Sequence, residues 1–373
     1  MTSSNELQSR LQTVRSHYRT SPWIQPREDE APLLRSWQRC HDAGMRGHEQ
    51  VSFELVSRSL LATLNDEHGA LVRCARPETE RLAHALRGTG SAVLLFNARG
   101  VVIDRLCHEA ATPAALLASS RPGINLAERC VGTSAPAICL AEGLPYLVGR
   151  DAHFFDNVRP FFCVAAPIDA PDGLRLGVLD ITSYDSVPAF DVLSLVTDAA
   201  AAIENSLFRP GPEQLVLHFH PRAELLGTPM QGLLLVEADG RVAGANRMAA
   251  RLLCLQRGQL VGQHFGSLFD RRLPGVFGAS PRPCGGLVEM QTHVGLQVVA
   301  RFDCAGAPDL AGQVLDDLPA TGGSPAAAVP ASLRSLECQA IERTLAALGG
   351  NVSATAKALG ISRNTIYRRR QHG

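Results

Sequence analysis

The chain has 373 residues, more than one ordinary hydrophobic core needs, so two or three domains are expected. Its composition, 45% hydrophobic and 19% charged, is that of an ordinary soluble protein. Residues 1–20 are polar and carry no apolar leader, and no uncharged apolar run approaches the roughly 18 residues that span a bilayer, so a cytoplasmic protein is expected.

The net charge of zero is unevenly spread. Residues 351–373 hold Lys357, Arg363, Arg368, Arg369 and Arg370 and no acid, while the remaining body carries 31 basic and 36 acidic groups. A polyanion partner is therefore expected at the C-terminal end, a solvated basic tail being the alternative. The ten cysteines form no C-x-x-C, and the nearest two, Cys130 and Cys139, lie nine residues apart. Such scattered thiols read as small buried hydrophobes in a reducing compartment. A redox role, if one exists, falls to Cys107, Cys130 and Cys163. No metal site and no cofactor are expected.

In chain order, the first fifty-five residues read as helical and polar, with Pro32 suited to a first turn and Leu33, Leu34, Trp37 and Cys40 at helical spacing. Strands begin near Gly90. Residues 92–96 and 101–106 flank the turn Asn97-Ala-Arg-Gly100, and residues 162–168 and 174–181 flank Ala170-Pro-Asp-Gly173. Proline presets φ in such turns and glycine tolerates positive φ. Residues 191–207 read as a helix with Val192, Leu195, Val196, Ala199 and Ile203 on one face.

Residues 208–213 carry two prolines and a glycine, a linker signal. His218 and His220 fall on one strand face but have no third ligand, so metal binding is not expected there. A strand at 233–236, a turn at 237–240 and a short strand at 241–243 precede Asn246, which can cap a helix through Met248, Leu252 and Leu253. Residues 317–330 form a second linker, rich in Ala, Pro, Gly and Ser.

The C-terminal piece is the most informative. Leu333, Leu336, Ile341, Leu345 and Leu348 form an apolar helical stripe that Gly349-Gly350 stops. Asn351 can cap a second helix burying Val352, Ala356 and Leu359, and Gly360 ends it. Ser362 can cap a third helix running to about Gln371. Two short helices joined by a glycine turn form a helix-turn-helix whose second helix enters the major groove. Ser362, Arg363, Asn364 and Thr365 can then meet base edges or phosphates, while Tyr367, Arg368, Arg369, Arg370 and Lys357 hold the backbone. A basic three-helix cap that binds protein is the alternative reading.

The stretch 341–370, with Gly349-Gly-Asn-Val-Ser353 and Leu359-Gly-Ile-Ser-Arg-Asn-Thr-Ile-Tyr367, closely resembles the Fis-type helix-turn-helix of bacterial enhancer-binding proteins. Leu34-Arg-Ser-Trp-Gln-Arg-Cys40, the segment 123–141, His153-Phe154, Cys163-Val-Ala-Ala-Pro-Ile168 and Gly177-Val-Leu-Asp180 resemble the sensory region of the acetoin-catabolism-regulator group of sigma-54-type regulators. The resemblance implies a GAF domain holding a small effector near Glu128, Thr133, His153, Phe154 and Cys163. Ordinary packing of those five is the alternative. Residues 233–253 resemble a PAS domain more weakly. Ser134, Pro136 and Phe161-Phe162 depart from the group's usual residues in segments expected to line the pocket, so the group's effectors do not carry over.

The group's central AAA+ ATPase is missing from this order of segments. Its phosphate loop, G-x-x-x-x-G-K-[ST], needs a lysine, and the only lysine is Lys357 in the helix-turn-helix. No enzyme signature takes its place, and no catalytic residue is expected.

The expected fold class is thus α+β multidomain, with GAF-like and PAS-like antiparallel sheets packed by helices, then a small all-α Fis-type module. The expected boundaries are an N-terminal helical segment at 1–58, a GAF-like sensor at 59–207, a linker at 208–228, a PAS-like domain at 229–306, a flexible linker at 307–330 and the DNA reader at 331–373. The expected function is that of an effector-controlled, DNA-binding transcription regulator, a homodimer acting on double-stranded DNA, with RNA polymerase or a motor-bearing relative as further partners. An architectural DNA-binding protein with a degenerate sensor, or a thiol redox sensor, are the alternatives.

Overall fold

The computed structural model describes residues 30–270, apart from 187, and residues 286–304. The expected linker at 307–330 and reader at 331–373, with Lys357 and the run from Ser362 to Arg370, lie outside the described residues, as does most of the segment before Ala31.

Helix α1 is Ala31–Asp42 and buries Pro32, Leu33, Ser36, Trp37 and Cys40 along one stripe. It stops well short of residue 55, where the polar sequence was expected to stay helical. Gly44 adopts φ of 80°, Gly44 N–H bonds the His41 carbonyl at 2.9 Å and Met45 N–H bonds the Cys40 carbonyl at 3.1 Å. This paired closure on a left-handed glycine ends the helix. Helix α2, Arg58–Ala85, then runs 28 residues from a Ser57 cap, in spite of an internal Pro77.

Next come β1 (Ala92–Asn97), β2 (Val102–Cys107), α3 (Ala114–Ser119), α4 (Glu128–Val131), α5 (Ala135–Glu142), β3 (Tyr146–Gly149), β4 (Phe161–Asp169), β5 (Arg175–Tyr184) and α6 (Val192–Ser206). Asp191 caps α6 by accepting the Ser194 N–H at 3.0 Å. Both expected hairpins form, and the strands pair antiparallel in the order β2-β1-β5-β4-β3.

Alternation splits this sheet into two buried faces. Val93, Leu95, Val164, Ala166, Leu179 and Ile181 pack on Leu71, Ala75 and Leu82 of α2 and on Val196 and Ile203 of α6. Ala92, Leu94, Phe96, Cys163, Ala165 and Val178 face α1, α3 and α5 instead. A sheet covered on both sides is rigid enough to hold a site on either.

The second sheet comprises β6 (Gln214–His220), β7 (Gly232–Glu237), β8 (Val242–Ala245), β9 (Val288–Gln291) and β10 (Gln297–Cys304), in the antiparallel order β8-β7-β6-β10-β9. The short helices α7 (Arg247–Leu252), α8 (Arg257–Leu260) and α9 (Phe265–Leu268) join its chain between β8 and β9. Leu215, Leu217 and Phe219 meet Ala249, Leu260, Phe265 and Leu268 in its core. Asn246 caps α7 as expected, accepting the Ala249 N–H at 2.8 Å. The central strand β6 lies inside residues 208–228, which the sequence assigned to a linker, because Leu215, Leu217 and Phe219 alternate inward just beyond the Pro/Gly run. The α+β class expected from the sequence is the architecture found.

The two sheets meet around a buried acid. Asp169, at the end of β4, accepts from Arg175, from Arg247 Nη2 at 2.8 Å and from Arg257 Nη1 at 3.0 Å. Glu204 of α6 accepts the Asp169 N–H at 2.8 Å and stands 3.4 Å from Arg247. The backbones touch alongside: Ala245 N–H bonds the Pro171 carbonyl at 2.9 Å. A Cβ on Gly244 would sit 2.7 Å from that of Pro171, so only glycine fits there.

Candidate ligand cavity

The inner face of the first sheet is not filled. Leu94, Phe96, Phe161, Cys163, Asp180 and Thr182 form a floor, and Phe53, Leu116, Ser120, Pro136, His153 and Val158 stand among the residues over it. The space between, counted together with the open solvent at its mouth, amounts to about 480 Å³. Among the described residues no Arg or Lys stands on the wall. Ser134, Pro136 and Phe161, three positions where the sequence departs from the acetoin-regulator pattern, all line it.

A chain of polar side chains runs along this wall. His153 is buried, its Nδ1 lies 3.2 Å from the Arg150 carbonyl and its Nε2 lies 3.9 Å from Cys163 Sγ. Nδ1–H therefore donates to the carbonyl and Nε2 accepts from the thiol. Thr182 Oγ1 lies 3.3 Å from Cys163 Sγ and 2.5 Å from Asp180 Oδ2. Its single proton serves only one of the two at a time.

Burial sets the charge of every group in the chain. It pushes the His153 imidazole down to about 4, the Cys163 thiol well up and the Asp180 carboxyl up to about 8. Near neutral pH the cavity wall is thus uncharged. A raised thiol is the opposite of what a redox-reactive cysteine needs, so Cys163 is a poor nucleophile. The eight described cysteines are all free.

Of the residues expected to hold a ligand, His153 and Cys163 line the cavity, and Glu128, Thr133 and Phe154 are not among its lining residues. Phe154 packs edge-on against Phe155, with ring centroids 5.2 Å apart. Glu128 and Thr133 grip α1 instead. Arg39 donates to Glu128 through Nε at 2.6 Å and Nη2 at 2.9 Å, and through Nη1 to Glu142 at 2.9 Å. Ser36 Oγ donates to Glu128 at 2.5 Å and lies 2.8 Å from Thr133 Oγ1. Arg35 and Arg39 together hold the Glu142 carboxyl below its ordinary range. The Ser-Trp-x-Arg-Cys signature is therefore a clamp that seats α1 on α4 and α5.

Thr182 was not singled out from the sequence, and Asp180 entered only as the last residue of a resembling motif, with no site role. Their signal is faint: one acid in an otherwise apolar strand, at the register that faces inward with Val178. Elsewhere, His218 is occupied, with Nδ1 3.0 Å from Gln231 Oε1 and Nε2 3.0 Å from Asp303. His220 Nδ1 accepts the Arg222 N–H at 3.0 Å. Among the described residues no group of three His, Cys, Asp or Glu is arranged to hold a metal ion, and no helix is long and apolar enough to cross a membrane.

Comparison with known proteins places these features in a family. Residues 8–205 match the family described as MimR, N-terminal domain. The chain belongs to that family. Residues 332–372 match a second one, the Fis family of bacterial regulatory proteins. Regulators are among its relatives. It is 30% identical over 256 residues to the acetoin catabolism regulatory protein of Cupriavidus necator, a match covering 65% of this chain and 38% of that one. It is 27% identical over 199 residues to the propane 2-monooxygenase operon transcriptional activator MimR of Mycolicibacterium goodii, covering 52% and 33%.

The matched part thus spans only 33% to 38% of the length of these two relatives. The group read from the sequence is the one found, and the names of these two relatives, both of regulators, accord with the expectation of a non-enzyme. Among solved structures, the E. coli DhaR(N)–DhaL complex aligns over 73% of this chain and 98% of that one at 15% identity and a TM-score of 0.44, too low to carry an argument.

Proposed function

We propose that the protein is a cytoplasmic transcription regulator that binds double-stranded DNA through residues 331–373 and is controlled by a small effector held in the cavity of the first sheet domain. The observation that carries the first half is the Fis-family match over 332–372, on a segment with five basic residues and no acid from 351 onward. The observation that carries the second is the unfilled inner sheet face, with His153 and Cys163 on its wall. In this reading residues 59–207 are a GAF-like sensor and the second sheet, β6 to β10, belongs to a PAS-like domain. The regulator acts as a homodimer. It has no ATPase of its own, since its sole lysine is Lys357 and no phosphate loop occurs.

Selection of bound sites from random duplex DNA, followed by titration with and without candidate metabolites, tests this. Effector control predicts an affinity that shifts with ligand, by a coupling of roughly 1–3 kcal/mol. An affinity indifferent to every metabolite that binds the first sheet domain would instead support an architectural protein.

Within the reader, Ser362, Arg363, Asn364 and Thr365 are assigned to base edges, and Lys357, Tyr367, Arg368, Arg369 and Arg370 to the backbone. Arg363→Ala or Asn364→Ala is expected to relax base preference by about 1–3 kcal/mol. Arg369→Ala or Arg370→Ala should weaken binding to all sequences alike and reduce the salt slope by about 1. Parallel titrations of selected and scrambled duplexes separate the two patterns.

A further inference from the structure

Three elements of the first sheet domain run from the cavity to the junction with the second sheet. Strand β4 places Phe161 and Cys163 on the cavity floor and ends at Asp169, and β5 starts at Arg175 and carries Asp180 and Thr182 to the same floor. Helix α5 makes the same journey. Ser134, its cap, and Pro136, in its first turn, line the cavity, while the Cys139 carbonyl in its last turn accepts from Arg175 Nη1 at 2.7 Å. The guanidinium lies so close to this helix end that a Cβ on Gly143 would stand 3.0 Å from Nη2.

The three differ in their freedom to move. Strands β4 and β5 pair from Phe161 opposite Tyr184 to Asp169 opposite Arg175, and neither slides without breaking that ladder. Helix α5 belongs to no ladder, and a helix packed through its side chains can shift as a unit by about 1–2 Å. Its Glu142 is held by Arg35 and Arg39, so α1 is tied to the same end.

Arg175 is where such a shift leaves the first sheet domain. Its Nε donates to Asp169, whose other oxygen holds Arg247 of α7 and Arg257 of α8. Arg257 in turn donates to the Ala170 carbonyl at 2.8 Å and to the Ala245 carbonyl of β8 at 2.9 Å. A hydrogen bond is lost beyond about 3.5 Å, so a movement of α5 by about 1 Å releases the guanidinium from Cys139. The freed group turns onto Asp169 and competes with Arg247 and Arg257 for its carboxylate.

We propose that α5 carries the state of the cavity to the second sheet, with Arg175 as the positioning residue that couples them. The reading of the cavity as the effector site, on which this rests, decides only what moves α5.

The test uses the full chain with labelled alanine, leucine and valine methyl groups, observed by NMR. Leu116 and Val158 report on the cavity. Ala245 of β8 and Ala249 of α7, both fully buried, report on the second sheet. Two perturbations are applied separately: xenon at about 10 bar, which enters apolar cavities, and Ser134→Ala, which removes the α5 cap. Each is expected to shift the cavity methyls and both alanine methyls, and under xenon all four follow one saturation curve. Arg175→Lys keeps a charge beside Asp169 and loses the fork that spans Asp169 and the Cys139 carbonyl. In that background the cavity methyls should respond within about twofold of the wild type, and Ala245 and Ala249 at least about fivefold less.

Alanine methyls that stay still under Ser134→Ala, or that respond equally after Arg175→Lys, overturn the coupling. If xenon moves neither Leu116 nor Val158, the cavity reading falls and the response to Ser134→Ala alone decides the coupling. Should Arg175→Lys not fold, Gly143→Ala, whose Cβ presses on the guanidinium, takes its place with the same outcomes.

Discussion

Trp37→Ala is expected to destabilise the protein by about 3–5 kcal/mol, the range for removing a large buried aromatic. Trp37 is 1% exposed and packs in the core on the cavity side of the first sheet. Its Nε1–H donates to the Ala152 carbonyl at 2.9 Å, one residue before the cavity residue His153. Trp37→Phe keeps much of the packing and loses the hydrogen bond, so a smaller loss, about 1–2 kcal/mol, is expected. Urea unfolding reads both, as a lower midpoint at unchanged m. A loss under about 1 kcal/mol for the alanine variant would mean that α1 is not anchored through this side chain.

Asp169→Ala is expected to cost about 3–5 kcal/mol, for a different reason. The carboxyl is buried among Arg175, Arg247 and Arg257. Removing it leaves three guanidinium groups facing one another, with Glu204 the only other acid paired with Arg247 among the described residues. The arginines keep between 17% and 33% of their side-chain surface exposed, and solvent screening puts the expected loss at the lower end.

The contact also ties the two sheets together. Arg247 and Arg257 belong to α7 and α8, Asp169 to β4, and Arg175 reaches on to the Cys139 carbonyl of α5 at 2.7 Å. A double-mutant cycle between Asp169→Ala and Arg247→Ala should give a coupling of about 1–3 kcal/mol. Additive losses would show that the two side chains do not act together.

What the sequence revealed depended on how local each cause was. The hairpins of β1–β2 and β4–β5 were legible because short apolar runs and turn residues such as Pro171 and Gly173 act within a few positions. The Asn246 cap was legible for the same reason. Helix α2 was not: Gly69 and Pro77 interrupt its pattern, and its buried residues Leu64, Leu71, Ala75 and Leu82 are too sparse to announce a helix until the sheet packs on them. Strand β6 was read only at His218 and His220, because the Pro/Gly run before it put residues 208–228 in a linker.

The site divides in the same way. His153 and Cys163 were reached through family resemblance, and both line the cavity. Glu128 was read as a ligand contact, yet its partners Ser36 and Arg39 lie 92 and 89 residues away along the chain, a pairing that only tertiary folding creates. Asp180 acquires its character from burial, which a lone acid in a strand does not disclose.

Salt-dependent binding of the full chain to a duplex carrying its selected site is the most direct test of the account. If residues 331–373 grip DNA, log K should fall linearly with log salt concentration, with a slope of about −0.9 for each phosphate contacted. The Arg369→Ala and Arg370→Ala variants should each flatten it. A chain that retains no duplex at low salt, or whose retention ignores both salt and these arginines, would contradict the regulator reading at its root.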